Sequence, residues 1–521
     1  MSKVELYDTT LRDGAQTEGI SYSVEDKLEL TQKLDQLGIN YIEGGWPGSN
    51  PKDMEYFKRI KRRRLKQATI CAFGSTARAR ILPEQDANLK ALLRAETKVV
   101  TLFGKSWDLH VRYVLKASLD QNLRMISASV KYLKRKGRRV IYDAEHFFDG
   151  AKQNYPYALK TLLAAQEAGA DVIVLCETNG GTITSELVRQ IRKVKPSLNI
   201  PFGIHVHNDS GLAVANSIAA VEEGASHIQG TINGYGERCG NADLVVCIAN
   251  LQLKLGRHCL RPQQLAKLTE VSRYVAEISN MRHQNNQPFV GESAFAHKGG
   301  VHINAMVKHP RTYEHLQPGL VGNKSRFLLS ELSGKTAILL KAKHLELGLK
   351  KETPDTKKFL KLLQNLEHQG YQFEAAEGSF ELLMKKAMKK YKKFFDLAGF
   401  RVIIEKDKNG KLTSEATVKL MVNKIEEHTV AEGDGPVNAL DSALRKALSE
   451  FYPTLSAMHL TDFKVRVLDE QAGTAARVRV LIQSQDGKDS WGTVGVSENI
   501  IEASWQALVD SIEYKLLKNR K

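Results

Sequence analysis

The chain lacks the features that would take it out of the ordinary globular class. No apolar run approaches the roughly 20 residues a membrane-spanning helix needs. The N-terminus, Met1 to Asp8, carries neither an apolar core nor an amphipathic Arg/Ser-rich stretch, so a cytoplasmic protein with no membrane partner is expected. Cysteine is sparse and odd in number. The five (Cys71, Cys176, Cys239, Cys247, Cys259) form no C-x-x-C pair, which excludes a disulfide scaffold and points to a reduced chain. No G-x-G-x-x-G opens a helix, which argues against a doubly wound dinucleotide-binding sheet. The net charge of +17 favours anionic partners, yet no interleaving of aromatic and basic residues is present, so nucleic acid is not the expected ligand.

What is present is a repeating pattern over residues 1–256. A short apolar stretch is followed by a polar turn and an amphipathic helix, and several helices close on glycine (Gly38, Gly137, Gly169, Gly224) just before the next apolar stretch. Strand-length segments fall at Val4–Tyr7, Tyr41–Glu43, Thr69–Phe73, Val99–Phe103, Val140–Asp143, Val172–Cys176, Phe202–His207 and His227–Thr231. Eight such units in about 250 residues predict a (β/α)8 TIM barrel. Residues 257–397 read as a helical linker subdomain. Within it Lys385, Lys386, Lys389, Lys390, Lys392 and Lys393 read as a solvated helix face. From 398 to 521 the order strand-strand-strand-helix occurs twice, which predicts a C-terminal α+β domain of two β-β-β-α units.

In a TIM barrel the chemistry sits at the C-terminal ends of the strands. The polar groups there include Arg12 and Asp13 after strand one, Glu43 ending strand two, Glu145 after strand five, Thr178 after strand six, and Asn241 after strand eight. His205-Val206-His207 is the most specific feature, because residues two apart on a strand share a face. Two imidazoles on the inner face, a carboxylate from Asp13 and the amide of Asn241 make a divalent-metal site with positions left open for substrate. Arg12, beside that carboxylate, is placed to stabilise an oxyanion or enolate. The Gly-rich stretch Gly234–Ala242 offers backbone amides that could hold anions.

These residues carry a resemblance. Asp8-Thr9-Thr10-Leu11-Arg12-Asp13-Gly14-Ala15-Gln16 resembles the D-x-T-L-R-D-G-x-Q signature of the DRE-TIM metallolyases, a family of Claisen-type synthases and lyases. His205–Asp209 and Gly234–Ala242 are similar to its other barrel motifs, and Gly291–His302 to the subdomain motif of its synthases. Residues 431–439 and 497–504 resemble the leucine-type regulatory domain. Within the family, Asp143–Gly150 and Gly492–Leu508 are similar to the long-form citramalate synthase group, with the 2-isopropylmalate synthases as the rival.

The resemblance implies condensation of acetyl-CoA with a 2-oxo acid, pyruvate in the first reading and 2-oxoisovalerate in the second. It implies a divalent ion (manganese, magnesium, zinc or cobalt) on Asp13, His205 and His207, with Asn241 nearby. Thr178 would hold the keto-acid carboxylate, Arg12 the developing charge, and Asp143 would face the region that selects the keto acid's side chain. His302, supported by Glu145 and with Tyr313 beside it, would help remove the acetyl proton across a homodimer. A branched-chain amino acid, isoleucine first, would act on the tail through a loop at Gly433, Asp434, Gly435 and Pro436.

Overall fold

In the computed structural model, residues 3–328, 354–468, 475–486 and 489–519 are described. The chain divides into two compact units, Met1–Phe295 with Leu316–Ser325, and Ala296–His315 with Arg326–Lys521.

The first unit is the expected barrel. Its strands are β1 (Glu5–Asp8), β2 (Tyr41–Gly45), β3 (Thr69–Ser75), β4 (Val99–Lys105), β5 (Arg139–Glu145), β6 (Val172–Glu177), β7 (Phe202–Val206) and β8 (His227–Gly230). All are parallel, and β1 pairs with both β2 and β8, so the sheet closes. The glycines that end helices do what the sequence suggested. Gly38, Gly137, Gly169 and Gly224 have φ of 105°, 73°, 95° and 109°, the left-handed region where an L side chain is strained. At the other end of the helix before β2, Ser23 and Asp26 form a capping box, which satisfies two orphan amides.

Inside the barrel Tyr7, Tyr41, Cys71, Val99, Ile141, Val172, Val174 and Cys176 form one buried cluster. A larger apolar layer lies between strands and helices, and residues from 260 to 295 such as Leu265, Leu268, Val275 and Phe295 add to it. Burial of each such Leu or Val is worth about 1.5–3 kcal/mol. This rigid wall fixes the strand ends.

The second unit contains the two expected β-β-β-α repeats. After the two-residue strands β9 (Ala296–His297) and β10 (Arg326–Phe327) come β11 (Asp396–Lys406), β12 (Leu412–Val422) and β13 (Ile425–Gly433), with helix Pro436–Leu448. Then β14 (His459–Val467), β15 (Val478–Gln485) and β16 (Ser490–Ser497) are followed by helix Ile500–Lys518. Each trio is an antiparallel sheet. In β12 the alternate residues Ala416, Val418, Leu420 and Val422 are fully buried, the period of two that a one-sided strand requires.

Helices occur on both sides of residues 329–353, namely Gly300–Lys308, Pro354–His368 and Glu377–Ala387; the part of the expected helical linker that falls on 329–353 lies outside the described residues. The lysine cluster is not one solvated helix face. The last helix ends at Ala387, and Lys389 takes φ 55° while the amides of Lys389 and Lys390 donate to Lys386 and Lys385 carbonyls. That is a Schellman closure. Lys385 is buried against Glu381, and Lys386 reaches Glu513 at 3.0 Å and Asp510 at 3.6 Å.

Candidate active site

The turn after β1 is organised by its own side chains. Asp8 accepts hydrogen bonds from the Thr10 amide at 3.0 Å and the Thr10 hydroxyl at 2.9 Å. The amides of Arg12 and Gly14 donate to the Thr9 carbonyl at 3.1 and 3.0 Å. This tight turn sends Arg12 and Asp13 into the barrel mouth. There the Arg12 guanidinium donates through Nε to Glu43 at 2.5 Å, meets Asp13 Oδ2 at 3.1 Å, and lies 3.8 Å above the Phe73 ring. Glu43 is fully buried and also accepts from Thr9 Oγ1 at 2.6 Å and from the Tyr7 hydroxyl. Burial alone would weaken the Arg12 cation, but Glu43 and Asp13 outweigh it and hold the guanidinium protonated.

The three expected metal ligands converge. Asp13 Oδ2 lies 3.6 Å from His205 Nε2 and 4.0 Å from His207 Nε2, and the two imidazole nitrogens are 3.3 Å apart. All three residues are buried and offer ligand atoms within 4.8 Å of one another. Burial pushes both imidazoles towards the neutral form, His207 down to about 3. Burial would raise the Asp13 carboxyl, yet Arg12 and the two imidazoles bring it down to about 2. A carboxylate and two neutral imidazoles are the species that bind a divalent ion.

Asn241 bridges to His207 along the backbone and its amide lies close to Asp13. Asp13 Oδ1 and both amide atoms of Asn241 are buried without a hydrogen-bond partner. Two orphaned buried acceptors, Asp13 Oδ1 and Asn241 Oδ1, beside two imidazole nitrogens 3.3 Å apart fit a cation. These residues therefore fit a divalent ion.

One cavity of about 220 Å³ collects Arg12, Asp13, Asp143, Glu145, Thr178, His205 and His207, walled by Trp46, Phe73 and Phe103. Glu145 ends β5 and ion-pairs with Lys105. The next residue, His146, is left-handed at φ 57°, and its amide donates to Thr178 Oγ1 at 2.9 Å. That oxygen is thereby an acceptor, which leaves the Thr178 proton free to donate. Asp149 holds this turn by accepting from Asn179 at 2.9 Å and meeting His146 Nδ1 at 2.9 Å. Gly150 allows it, since a Cβ there would sit 2.4 Å from the Ser106 carbonyl. Thus the stretch Asp143–Gly150 builds the β5 side of the cavity. Burial, then Glu43, raises the Asp143 carboxyl.

The remaining expected residues lie in the second unit. His302 and Tyr313 are both exposed and their rings stack with centroids 4.1 Å apart. Gly433–Pro436 form the turn between β13 and the next helix, where the Asp434 amide donates to Asn438 Oδ1 at 3.1 Å. In the Gly-rich loop 234–242 several amides are used within the fold. The amides of Gly240, Asn241 and Ala242 donate to carbonyls of Glu237, Gly234 and Val206, and that of Gly236 to Thr17. A Cβ at Gly240 would sit 2.0 Å from the Gly234 carbonyl, so the glycine serves close packing of this loop under the site.

Sequence reading missed the aromatic wall and Gln229, whose signal was a polar side chain inside the short strand β8. It singled out Glu43 but not its service as the anchor of Arg12, which depends on the β1–β2 register.

Comparison with known proteins follows the same order along the chain. Residues 3–275 match the HMGL-like family, 289–370 the homocitrate synthase post-HMGL domain-like family, and 374–516 the LeuA allosteric (dimerisation) domain. The chain is 57% identical to an (R)-citramalate synthase of Geobacter sulfurreducens over 100% of this chain and 99% of that one. It is 54% identical to an (R)-citramalate synthase of Aquifex aeolicus, with the same coverage. A 2-isopropylmalate synthase of Methanocaldococcus jannaschii is more distant, at 32% identity over 100% of this chain and 96% of that one. With barrel, following segment and tail matched in order, and relatives above half identity along their full length, the chain belongs to the family of the (R)-citramalate synthases.

Proposed function

We propose that the chain condenses acetyl-CoA with pyruvate and water to give (R)-citramalate and CoA, on the way to isoleucine. The acetyl methyl loses a proton, its carbon bonds to C2 of pyruvate, the C2 carbonyl oxygen gains a proton, and water cleaves the thioester. The observation that carries the reading is the convergence of Arg12, Asp13, His205 and His207 on one cavity, in a chain so similar to citramalate synthases.

Asp13, His205, His207 and the amide of Asn241 would hold a divalent ion, manganese, magnesium, zinc or cobalt. When bound, the ion supplies Lewis-acid polarisation and a template for the keto acid. Arg12 places fixed positive charge where the carbonyl oxygen becomes negative. Thr178 donates its free hydroxyl proton to the keto-acid carboxylate, and Asp143 faces the acid's small substituent. His302 of the partner subunit, with Tyr313 of the partner subunit, reaches in to take the methyl proton, helped by Glu145. The matched dimerisation domain supports a homodimer.

In this reading residues 1–256 carry the chemistry, 257–397 deliver His302, and 398–521 regulate. Isoleucine would bind at Gly433–Pro436. The test is release of free CoA thiol from acetyl-CoA with a panel of 2-oxo acids. Pyruvate should be turned over fastest. Equal or faster turnover of 2-oxoisovalerate would shift the reading to 2-isopropylmalate synthesis.

A further inference from the structure

Beneath the site, one side chain crosses the barrel. Gln229 projects from β8, buried, between a residue of β7 and a residue of β5. Its Nε2 donates to Asp143 Oδ1 at 3.0 Å, and its Oε1 meets His205 Nδ1 at 3.0 Å. The two contacts together define the amide. In this arrangement the amide nitrogen donates to the carboxyl oxygen and the amide oxygen faces the imidazole. An amide oxygen only accepts. His205 Nδ1 must therefore carry the proton, and the lone pair of its ring lies on Nε2, the atom 3.6 Å from Asp13 Oδ2 and 3.3 Å from His207 Nε2.

His207 has no such support, because its Nδ1 is buried without a hydrogen-bond partner. One imidazole of the pair is thus locked in tautomer and ring orientation, and the other is not. We infer that Gln229 is a positioning residue which sets His205 as the fixed ligand of the ion site, and that Asp143 acts through it, holding the amide the right way round. This rests on the reading that Asp13, His205 and His207 bind a divalent ion. Asp143 then joins the two ends of the site. One carboxyl both borders the cavity and steadies a ligand two strands away.

The test uses the full-length protein freed of metal by chelator dialysis and titrated with Co²⁺. Affinity is read by competition with a chromophoric chelator, and ligand geometry by the visible absorption of bound cobalt. Gln229→Met keeps the length of the side chain and removes both hydrogen bonds. It should weaken Co²⁺ binding by about 10–100-fold, the usual effect of losing a partner behind a ligating histidine, and change the absorption band. Gln229→Glu still accepts from His205 Nδ1 and should recover part of the affinity and the wild-type band. A merely structural role would shift the melting temperature of Gln229→Met without altering the spectrum. A folded Gln229→Met protein with wild-type affinity and band overturns the inference while the metal reading stands. Wild-type protein that binds no Co²⁺ overturns both.

Discussion

Glu43→Gln is the sharpest perturbation of the Arg12 site. The carboxyl group of Glu43 receives Arg12 Nε at 2.5 Å, Thr9 Oγ1 at 2.6 Å and the Tyr7 hydroxyl, and it is fully buried. Arg12 and Thr9 both meet Oε1 and the Tyr7 hydroxyl meets the other oxygen. An amide of the same shape still accepts from Arg12 and Thr9 but turns its N–H groups on Tyr7, whose own proton must then pass to Thr101 at 2.7 Å. The Arg12 cation then loses the negative charge of Glu43 and keeps a neutral acceptor, with Asp13 at 3.1 Å and the face of Phe73. Leaving one partner of a buried ion pair uncompensated costs roughly 3–5 kcal/mol. At about 2 cal/mol/K per residue over the roughly 300 residues of that unit, the unfolding entropy is about 0.6 kcal/mol/K, so Tm should fall by about 5–8 °C. Tyr7→Phe removes one donor and leaves the carboxyl group, so it should cost only about 1 kcal/mol. Condensation by Glu43→Gln should drop about a hundredfold or more, because the guanidinium is no longer held by the Glu43 charge. Calorimetry gives Tm, and thiol release gives the rate. A Glu43→Gln protein melting within about 1 °C of wild type with its turnover intact would refute the argument that Glu43 fixes Arg12.

The barrel was legible because its punctuation is local. Gly38, Gly137, Gly169 and Gly224 must be glycine where they stand, and each announces the next strand. The metal cluster was legible for a similar reason, since the period of two on β7 puts His205 and His207 on one face. Strand ends were less so. β3, β4 and β5 run on to Ser75, Lys105 and Glu145, past the apolar residues that marked them. Parallel hydrogen bonding continues into the polar layer where the site begins, so hydrophobicity stops short of the strand. Groups that act through partners far away in sequence were least legible. Gln229 and Asp143 are 86 residues apart, and their bond follows from barrel closure. Lys389 turned the lysine run out of its helix by a left-handed backbone, which a charge pattern does not encode.

His207→Ala should abolish condensation while Tm stays near that of metal-free wild type, and Asp13→Ala should abolish it with a lowered Tm because Arg12 loses a buried partner at 3.1 Å. Chelation should silence the wild type reversibly; full activity after exhaustive chelator dialysis would defeat the metal assignment. Mixing inactive His302→Ala with inactive Arg12→Ala should restore part of the activity if the base crosses the dimer. Subunits shown by tagged pull-down to exchange, yet still inactive, would place each site within one chain. Isoleucine should inhibit the full-length protein, and Asp434→Ala should weaken inhibition roughly tenfold, the value of one lost charge-assisted hydrogen bond; no heat with isoleucine, leucine or valine in calorimetry would leave the tail a structural role. The last expectation concerns pH. Burial pushes the Asp8 carboxyl up to about 7, against the pull of Thr10, and pushes Asp243 and Asp510 to about 6. Each of these groups keeps its proton in the folded chain at pH values where the unfolded chain has lost it, so the stability they contribute is full below about pH 4. It is lost as pH rises through 6 and 7. Asp13, at about 2, works in the opposite sense and loses its contribution only as pH falls from about 4 towards 2. Asp8→Asn removes the largest of the raised groups while leaving an oxygen to accept from the Thr10 amide. Between an ordinary 3.8 and about 7, Asp8 contributes at most about 4 kcal/mol of pH dependence. The melting temperature of Asp8→Asn relative to wild type should therefore rise steadily from pH 4.5 to 7.5. A difference that stays flat across that range would mean the Asp8 carboxyl is already ionised in the folded chain at pH 4.5.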